Sequence, residues 1–428
     1  MRALPLIVGT LGFLALYLSA RRWFAGAYPE AWRHRRWVRS AVHAVPVLWA
    51  GGLLMAFAGR QLDMPRVSHL SFSMSGVLVV LLVATLLPLG IAAAIRGWAD
   101  RKRMADLSSA PPAVSAPQPA PERAATTPPE LGPTTGATRR ELLVRASAVL
   151  PAGGLVLTGA GAVDGFGAAH LVALQMSYPD LPPELEGFKI LHYTDMHLGS
   201  FVDLHEVQRL VDLGRQANAD LVVLTGDMAD DVDSLQSALR IFETLDPRHG
   251  VLASIGNHEY FRGIKKTLSG YAKSNVEMLI EQSQTLKIGG ARLFVGGADD
   301  PRILRGDKMD FMHRTVHQTL DGAPSDAFRL LLSHRPEGFI PAAQAGFHLT
   351  LSGHTHGAQL GFNGRSLLEG FMPDRFLWGA YSDGANRLYT SSGAGHWFPF
   401  RLGCAREVPL IVLRRGPAGG AVKKVRLA

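Results

Sequence analysis

Side chains that bind metals or move protons recur in this chain wherever an apolar run ends. The blocks that share this placement are Asp195-Met196-His197, Gly226-Asp227, Gly256-Asn257-His258-Glu259, Ser333-His334 and Gly353-His354-Thr355-His356. Asp, His and Asn supply the oxygen and nitrogen ligands that suit manganese, iron or zinc, and they are too many for one tetrahedral ion. The pattern therefore predicts two divalent metal ions that share a carboxylate.

Two such ions have a defined chemistry when they lie about 3.5–4 Å apart. They generate hydroxide from a bound water, and they neutralise the oxygens of a phosphoryl group during in-line displacement. We therefore expect hydrolysis of a phosphate ester.

Strands must deliver these blocks to one place. Residues 221–224 are a run of branched apolar side chains typical of a strand buried on both faces, and residues 204–218 have apolar residues at helical spacing. Alternation along the first strand predicts that Asp195 and His197 lie on the same side. Strands alternating with helices predict an α/β layered fold, in which ligands bind in the cleft at the strand ends.

The N-terminal part reads as membrane helices. Residues 4–20, 41–59 and 76–95 each approach the roughly 20 apolar residues that a helix needs to cross a bilayer, and residues 146–163 form a weaker, glycine-rich fourth stretch. Successive loops between the four stretches hold six, two and seven Lys/Arg. By the positive-inside rule the first and third loops are cytoplasmic. If the fourth stretch crosses, the rest of the chain lies outside; if it is a surface or buried helix, the rest stays in the cytoplasm.

A linker separates the third and fourth stretches. Eight prolines lie between residues 108 and 137, a composition that cannot bury a core. Arg139 and Arg140 follow, and they fit either a twin-arginine export signal or a simple topology anchor. The predicted organisation is three transmembrane helices (1–100), a basic Pro/Ala-rich linker (101–145), a fourth transmembrane or signal-anchor segment (146–165) and a catalytic domain (181–415).

Charge and cysteine content exclude some functions. The net charge is +8 over 428 residues, but the first 145 residues alone carry +10. The near-neutral remainder argues against nucleic acid as a partner, since binding it needs a concentrated basic face. The lone Cys404 forbids an internal disulfide.

The five blocks together resemble the signature of the calcineurin-like metallophosphoesterases, over roughly residues 181–414. Additional similarity in residues 297–302, 357–360 and 401–404 points to a membrane-anchored bacterial phosphodiesterase branch. The resemblance implies N-terminal transmembrane helices followed by an α/β/β/α sandwich. Arg335, where the branch often has a small polar residue, and Ala358, in place of a common glycine, put the substrate preference in doubt.

The resemblance also implies a role for each motif residue. Asp195, His197 and His356 resemble the ligands of a first metal. Asn257, His334 and His354 resemble those of a second, and Asp227 resembles the bridge between both. His258 is the candidate general acid or transition-state stabiliser and is not a ligand.

Other conspicuous residues have less specific interpretations. His192 points by alternation away from the Asp195 and His197 face, which favours packing. Asp230 and Asp231 are predicted to cap the next helix. The aromatic stretch His396 to Phe400 fits a lid over the metals, a wedge into lipid headgroups or a buried plug.

Three functions remain open. The first is a membrane-anchored phosphoesterase acting on phosphodiesters or phosphomonoesters, including those of a lipid or envelope component, with its catalytic domain on the periplasmic or extracellular face of the inner membrane. The second is a UDP-diacylglucosamine pyrophosphate hydrolase of lipid A synthesis, whose substrate is made inside the cell. The third is a non-catalytic membrane sensor, which predicts missing ligands, and none is missing.

Overall fold

The computed structural model describes residues 4–80 and 156–425, apart from short gaps at 28, 63, 65–66, 69, 73, 200, 303–307, 373–375, 399 and 418–422. The chain divides into two compact units, one of residues 1–50 with 78–158 and one of residues 51–77 with 159–428. The N-terminal helices are α1 (Leu4–Ala27), α2 (Pro29–His34) and α3 (Arg36–Gln61).

Membrane crossing is supported by one helix among the described residues. Residues Arg36–Gly59 are long and apolar enough to span a bilayer. The predicted linker (101–145) and most of the predicted third stretch (76–95) lie outside the described residues. In the fourth stretch, residues 156–165 are helical. The multi-span arrangement stays a prediction.

The larger of two sheets carries the first three ligand blocks. Its strands are β1 (His170–Tyr178), β2 (Lys189–Tyr193), β3 (Leu221–Thr225), β4 (Val251–Ser254), β5 (Val276–Leu279), β14 (Glu407–Arg415) and β15 (Lys423–Val425). They lie in the order β15-β1-β14-β2-β3-β4-β5, with β2 to β5 parallel. The helices between them are α4 (Leu204–Arg215), α5 (Val232–Glu243) and α6 (Asn257–Tyr271). β1 precedes residue 181 and pairs along its whole length with β14.

The second sheet carries the histidines of the last two blocks. Its strands are β6 (Gln282–Ile288), β7 (Ala291–Gly297), β8 (Phe328–Leu332), β9 (Leu349–Ser352), β12 (Gly379–Asp383) and β13 (Asn386–Thr390), in the order β12-β13-β9-β8-β7-β6. Helices α7 (Lys308–Thr319) and α8 (Phe339–Gln344) accompany it. A small hairpin of β10 (Gly361–Phe362) and β11 (Arg365–Ser366) follows β9.

Alternating side chains on the strands explain the layering. On β3, Leu221 and Val223 join a core that also contains Leu330 and Leu351 of the second sheet. Val222 and Leu224 of the same strand face a separate core with residues of α4 and α5. A third cluster packs α7 and α8 on the outer face of the second sheet. Both faces of each sheet are therefore covered, which gives the expected α/β sandwich, here with two mixed sheets.

Candidate metal centre

Six of the seven predicted ligands meet beyond the ends of four strands, β2, β3, β8 and β9, and Asn257 directly follows a fifth strand, β4. Asp195 Oδ1 lies 3.2 Å from His356 Nε2, which is 3.2 Å from His197 Nε2. Asp227 Oδ2 lies 3.2 Å from His334 Nε2, which is 3.2 Å from His354 Nδ1. Asp195, His197 and His356 thus form one candidate metal-binding group, and Asp227, His334 and His354 form another; a further combination of His197, Asp230 and His258 overlaps the first group at His197.

Asp227 lies between the two groups. Its Oδ2 is 3.2 Å from His334 and also 3.8 Å from Nε2 of His197, which belongs to the other group. Asn257 follows β4 and is buried, with its Oδ1 lacking a hydrogen bond. Asp227 therefore contacts a histidine of each group, and Asn257 offers a buried amide oxygen that has no hydrogen-bond partner.

The donor set fits two cations. Asp195 Oδ1 is a second buried oxygen without a hydrogen bond, although leaving such an oxygen unpaired is costly. Each group also contains two imidazole nitrogens that lie 3.2 Å apart, those of His197 and His356 in one group and those of His334 and His354 in the other. Carboxylate, amide and imidazole donors clustered in this way suit a dinuclear metal site.

Five of the candidate ligands have a strained backbone conformation. Asp195, His197, Asp227, His354 and His356 all have φ between 48° and 69°, the left-handed region that such residues rarely adopt. β2 ends at Tyr193, so Asp195 and His197 lie in the loop beyond the strand. The two residues were predicted to share one side of a strand, but neither lies on the strand. Sharp turns of the loop bring them together instead.

Two glycines leave the space that the cluster requires. A Cβ at Gly353 would collide with Asp195 Oδ2. Gly226, at φ +81°, would place a Cβ 2.6 Å from the backbone nitrogen of Gly256. Only glycine meets both the conformational and the steric demand at Gly226.

Glu259 holds two of the ligand loops together. Its buried carboxylate accepts hydrogen bonds from the backbone nitrogens of Asp227 (3.0 Å), Met228 (2.7 Å) and Gly256 (2.9 Å). This glutamate ends the third sequence block, and the motif alone predicts no role for it. A carboxylate three residues after a helix N-cap is a recognisable capping signal.

The prediction that both Asp230 and Asp231 cap the next helix is correct only for Asp231. Asp231 caps α5 as predicted, because its side chain accepts from the backbone nitrogen of Asp233. Asp230 instead binds His258 Nδ1 (2.6 Å) and Arg262 Nε (2.9 Å) through Oδ1, and its Oδ2 is 3.4 Å from His197 Nδ1. This carboxylate orients both a candidate ligand and the candidate general acid.

His258 lies at the open side of the cluster. Its side chain is 17% exposed, whereas those of Asp195, His197, Asp227, His334 and His356 are at most 4% exposed. With Nδ1 bound to Asp230, its Nε2 lies 3.9 Å from Asp227 Oδ2. Nε2 is thus the ring nitrogen next to the centre.

His192 and Arg335 are two further buried residues beside the cluster. His192 is buried and bonds Thr225 Oγ1 at 2.7 Å, and burial lowers its pKa to about 3, in agreement with a packing role. Arg335 is buried, pairs with Asp300 at 2.8 Å and donates to His354 Nε2 at 2.7 Å. The residue that departs from the branch pattern therefore contacts a candidate ligand.

Two histidines of the cluster have raised pKa values. Burial opposes a charge on His197, but the nearby carboxylates of Asp195 and Asp230 outweigh it and raise its pKa to about 10. Burial likewise opposes a charge on His334, whose pKa is raised to about 10 by Asp227. For Asp227, burial raises the pKa, but His334 and His258 outweigh it and hold the pKa below its usual range.

These pKa shifts predict that metal affinity rises with pH. Metals bind neutral imidazole, so binding at His197 and His334 must displace protons at any pH below about 10. We expect tighter Mn²⁺ binding at about pH 8.5 than at about pH 6.5. Calorimetry in buffers with different ionisation enthalpies should detect proton release. Binding without proton release and without pH dependence would contradict this assignment.

Comparisons with known proteins show which family this chain resembles. Residues 188–358 match the family model described as calcineurin-like phosphoesterase. A transmembrane protein with metallophosphoesterase domain from Danio rerio is 29% identical over 279 residues, 61% of this chain and 61% of that protein. An uncharacterized metallophosphoesterase from Helicobacter pylori is 31% identical over 229 residues, 53% of this chain and 59% of that protein. The matched region thus spans about three fifths of each relative's length.

Proposed function

We infer that residues 188–358 form a calcineurin-like phosphoesterase domain. From this premise we propose that the chain is a membrane-anchored dinuclear-metal phosphoesterase that hydrolyses phosphodiesters or phosphomonoesters. The observation that carries the proposal is the position of Asp227. Its Oδ2 lies within 4 Å of nitrogens of His197 and His334, one from each candidate metal-binding group.

Each side chain has a proposed task. Asp195, His197 and His356 would hold one cation, Asn257, His334 and His354 the other, and Asp227 both. Two divalent cations supply a water-derived nucleophile and neutralise charge on the phosphoryl oxygens. Manganese, iron and zinc all suit these donors.

His258 would protonate the leaving group. Hydrogen bonds to His197 and His258 outweigh burial and hold the pKa of Asp230 well below its usual range, so this carboxylate stays ionised. Its Oδ1 lies 2.6 Å from His258 Nδ1, and this contact leaves Nε2 facing the centre. A proton on Nε2 can then pass to the departing oxygen.

Hydrolysis of bis(p-nitrophenyl) phosphate tests the proposal. The full chain, purified in detergent and stripped with a chelator, should be inactive and should regain activity with Mn²⁺. The chelator-treated Asp227→Asn variant is the matched control for contaminating phosphatases. If the parent with metal were no faster than this variant, the sensor interpretation would replace the enzyme.

We also propose that the chain is a multi-pass protein of the inner membrane with its domain on the outer side. The support is the apolar helix Arg36–Gly59, the uneven distribution of Lys/Arg among the loops and the relative described as a transmembrane protein. Its substrate would then be a phosphate ester reachable from that side, such as a lipid or envelope component, and not nucleic acid.

Topology is tested with a reporter enzyme that is active only outside the cytoplasm. Fusion after residue 170 should give an active reporter, because the fourth stretch would carry the chain outward. Replacing Arg139 and Arg140 by glutamine should reduce the signal, since these charges hold the start of that stretch inside. An inactive parent fusion would place the site in the cytoplasm and favour the UDP-diacylglucosamine alternative.

A further inference from the structure

The helical residues 156–165 are attached to the catalytic domain next to the metal centre. The backbone nitrogen of Arg401 donates to the carbonyl of Gly161 at 2.7 Å. A Cβ at Gly161 would overlap the ring of Phe400, which is only 6% exposed. The helix backbone thus lies directly on this ring.

Additional bonds fasten the same segment. The backbone nitrogen of Gly403 donates to Asp164 Oδ2 at 3.0 Å, and Arg406 Nη1 donates to the carbonyl of Gly167 at 3.3 Å. The ring of Phe166 packs edge-on against His396, with centroids 5.3 Å apart. Polar and apolar contacts both hold this segment on the loop 396–406.

The loop 396–406 is a buried support for the helix. His396 and Phe400 are 2% and 6% exposed, whereas Trp397 and Phe398 are half-buried. Of the three interpretations of this aromatic stretch, the buried plug describes His396 and Phe400 best.

Arg401 connects this loop to the metal centre. Its side chain is fully buried, and Nη2 donates to the carbonyls of Ser392 and Gly395, both at 2.8 Å. Nη2 also donates to His356 Nδ1 at 3.1 Å, on the ring whose Nε2 faces Asp195 and His197. Burying a guanidinium is costly unless its hydrogen bonds are made, so a displaced Arg401 would disturb the ring of His356.

We propose that the helix at residues 156–165 is a working part of the metal centre, in which Phe400 and Arg401 transmit its position to His356. The group of Asp195, His197 and His356 then has full metal affinity only while the helix is seated. Arg401 is a positioning residue, since it touches a ligand and not the reacting atoms. This inference rests on the proposed function for the two metal sites, and it adds an intramolecular control over one of them.

Two glycines of this helix provide a matched test. A Cβ at Gly161 meets Phe400, whereas a Cβ at Gly159 meets nothing within 4 Å. Gly161→Leu and Gly159→Leu bring the same change in helix propensity, so the difference between them reports the contact with Phe400. Both are made in the full chain in detergent, and Mn²⁺ binding is measured by calorimetry.

We expect Gly159→Leu to bind two Mn²⁺ with parental affinities. Gly161→Leu should bind one Mn²⁺ as the parent does and the other about 10–100-fold more weakly, the usual cost of losing a partner of a metal ligand. Such a selective loss is not what general destabilisation would produce, because unfolding weakens both sites together. Two parental affinities in Gly161→Leu would overturn the proposal.

Three further variants keep the proposal testable if Gly161→Leu fails to fold. The double variant Gly161→Leu/Phe400→Ala lacks the ring that the leucine would overlap. It should fold, and the weakened Mn²⁺ affinity should be restored. Arg401→Gln should reproduce the selective loss, and Arg401→Lys should recover part of it because a cation still donates to His356. Equal weakening of both sites in Arg401→Gln would also overturn the proposal. A parent that binds no metal would instead contradict the proposed function.

Discussion

Asp227→Asn is expected to remove both metals and to lower hydrolysis by more than about 100-fold. The amide keeps the size of the side chain but loses its charge, so two cations would face each other without the carboxylate between them. Metal content after desalting, together with the rate of bis(p-nitrophenyl) phosphate hydrolysis, measures the effect.

Asp231→Asn is the matched control for this substitution. Asp231 lies four residues away and caps α5, and asparagine caps helices as well as aspartate does. We expect parental metal content and activity. Close to two metals per chain in Asp227→Asn would refute the bridging assignment.

His258→Ala should keep both metals and lose about 100-fold or more in turnover, the usual contribution of a general acid. The loss should be smaller for nitrophenyl esters than for alkyl esters, because a good leaving group departs without a proton. Steady-state rates with both esters, at saturating Mn²⁺, measure the difference.

His205→Ala is the corresponding control, since His205 is exposed on α4 and outside the cluster. Its rates should match those of the parent. Equal losses in His258→Ala for both classes of ester would argue that His258 acts on the phosphoryl charge and not on the leaving group.

The sandwich could be predicted because its determinants are local. Strands such as β3 are continuous apolar runs, and the ligands follow the strand ends directly. The carboxyl ends of neighbouring parallel strands meet at one edge, so residues distant in sequence could be placed in one cleft. The fold brings six of the seven predicted ligands together and places Asn257 directly after β4.

The supporting residues could not be predicted, because loop geometry decides their contacts. Asp230 and Asp231 are adjacent acids before the same helix, yet one caps it and the other binds His258. Arg401 reaches His356 across 45 residues of sequence, and only the packed loops bring them together. Spacing rules describe strands and helices, and they do not apply to irregular backbone.

The most direct test of the dinuclear centre is a titration of the metal-stripped full chain with Mn²⁺, following bound metal and bis(p-nitrophenyl) phosphate hydrolysis in the same samples. The account predicts that activity reaches its plateau when two Mn²⁺ are bound per chain. It also predicts that Asp227→Asn neither retains Mn²⁺ nor hydrolyses the ester. Full activity with one bound metal or none, or two bound metals without hydrolysis, would contradict it.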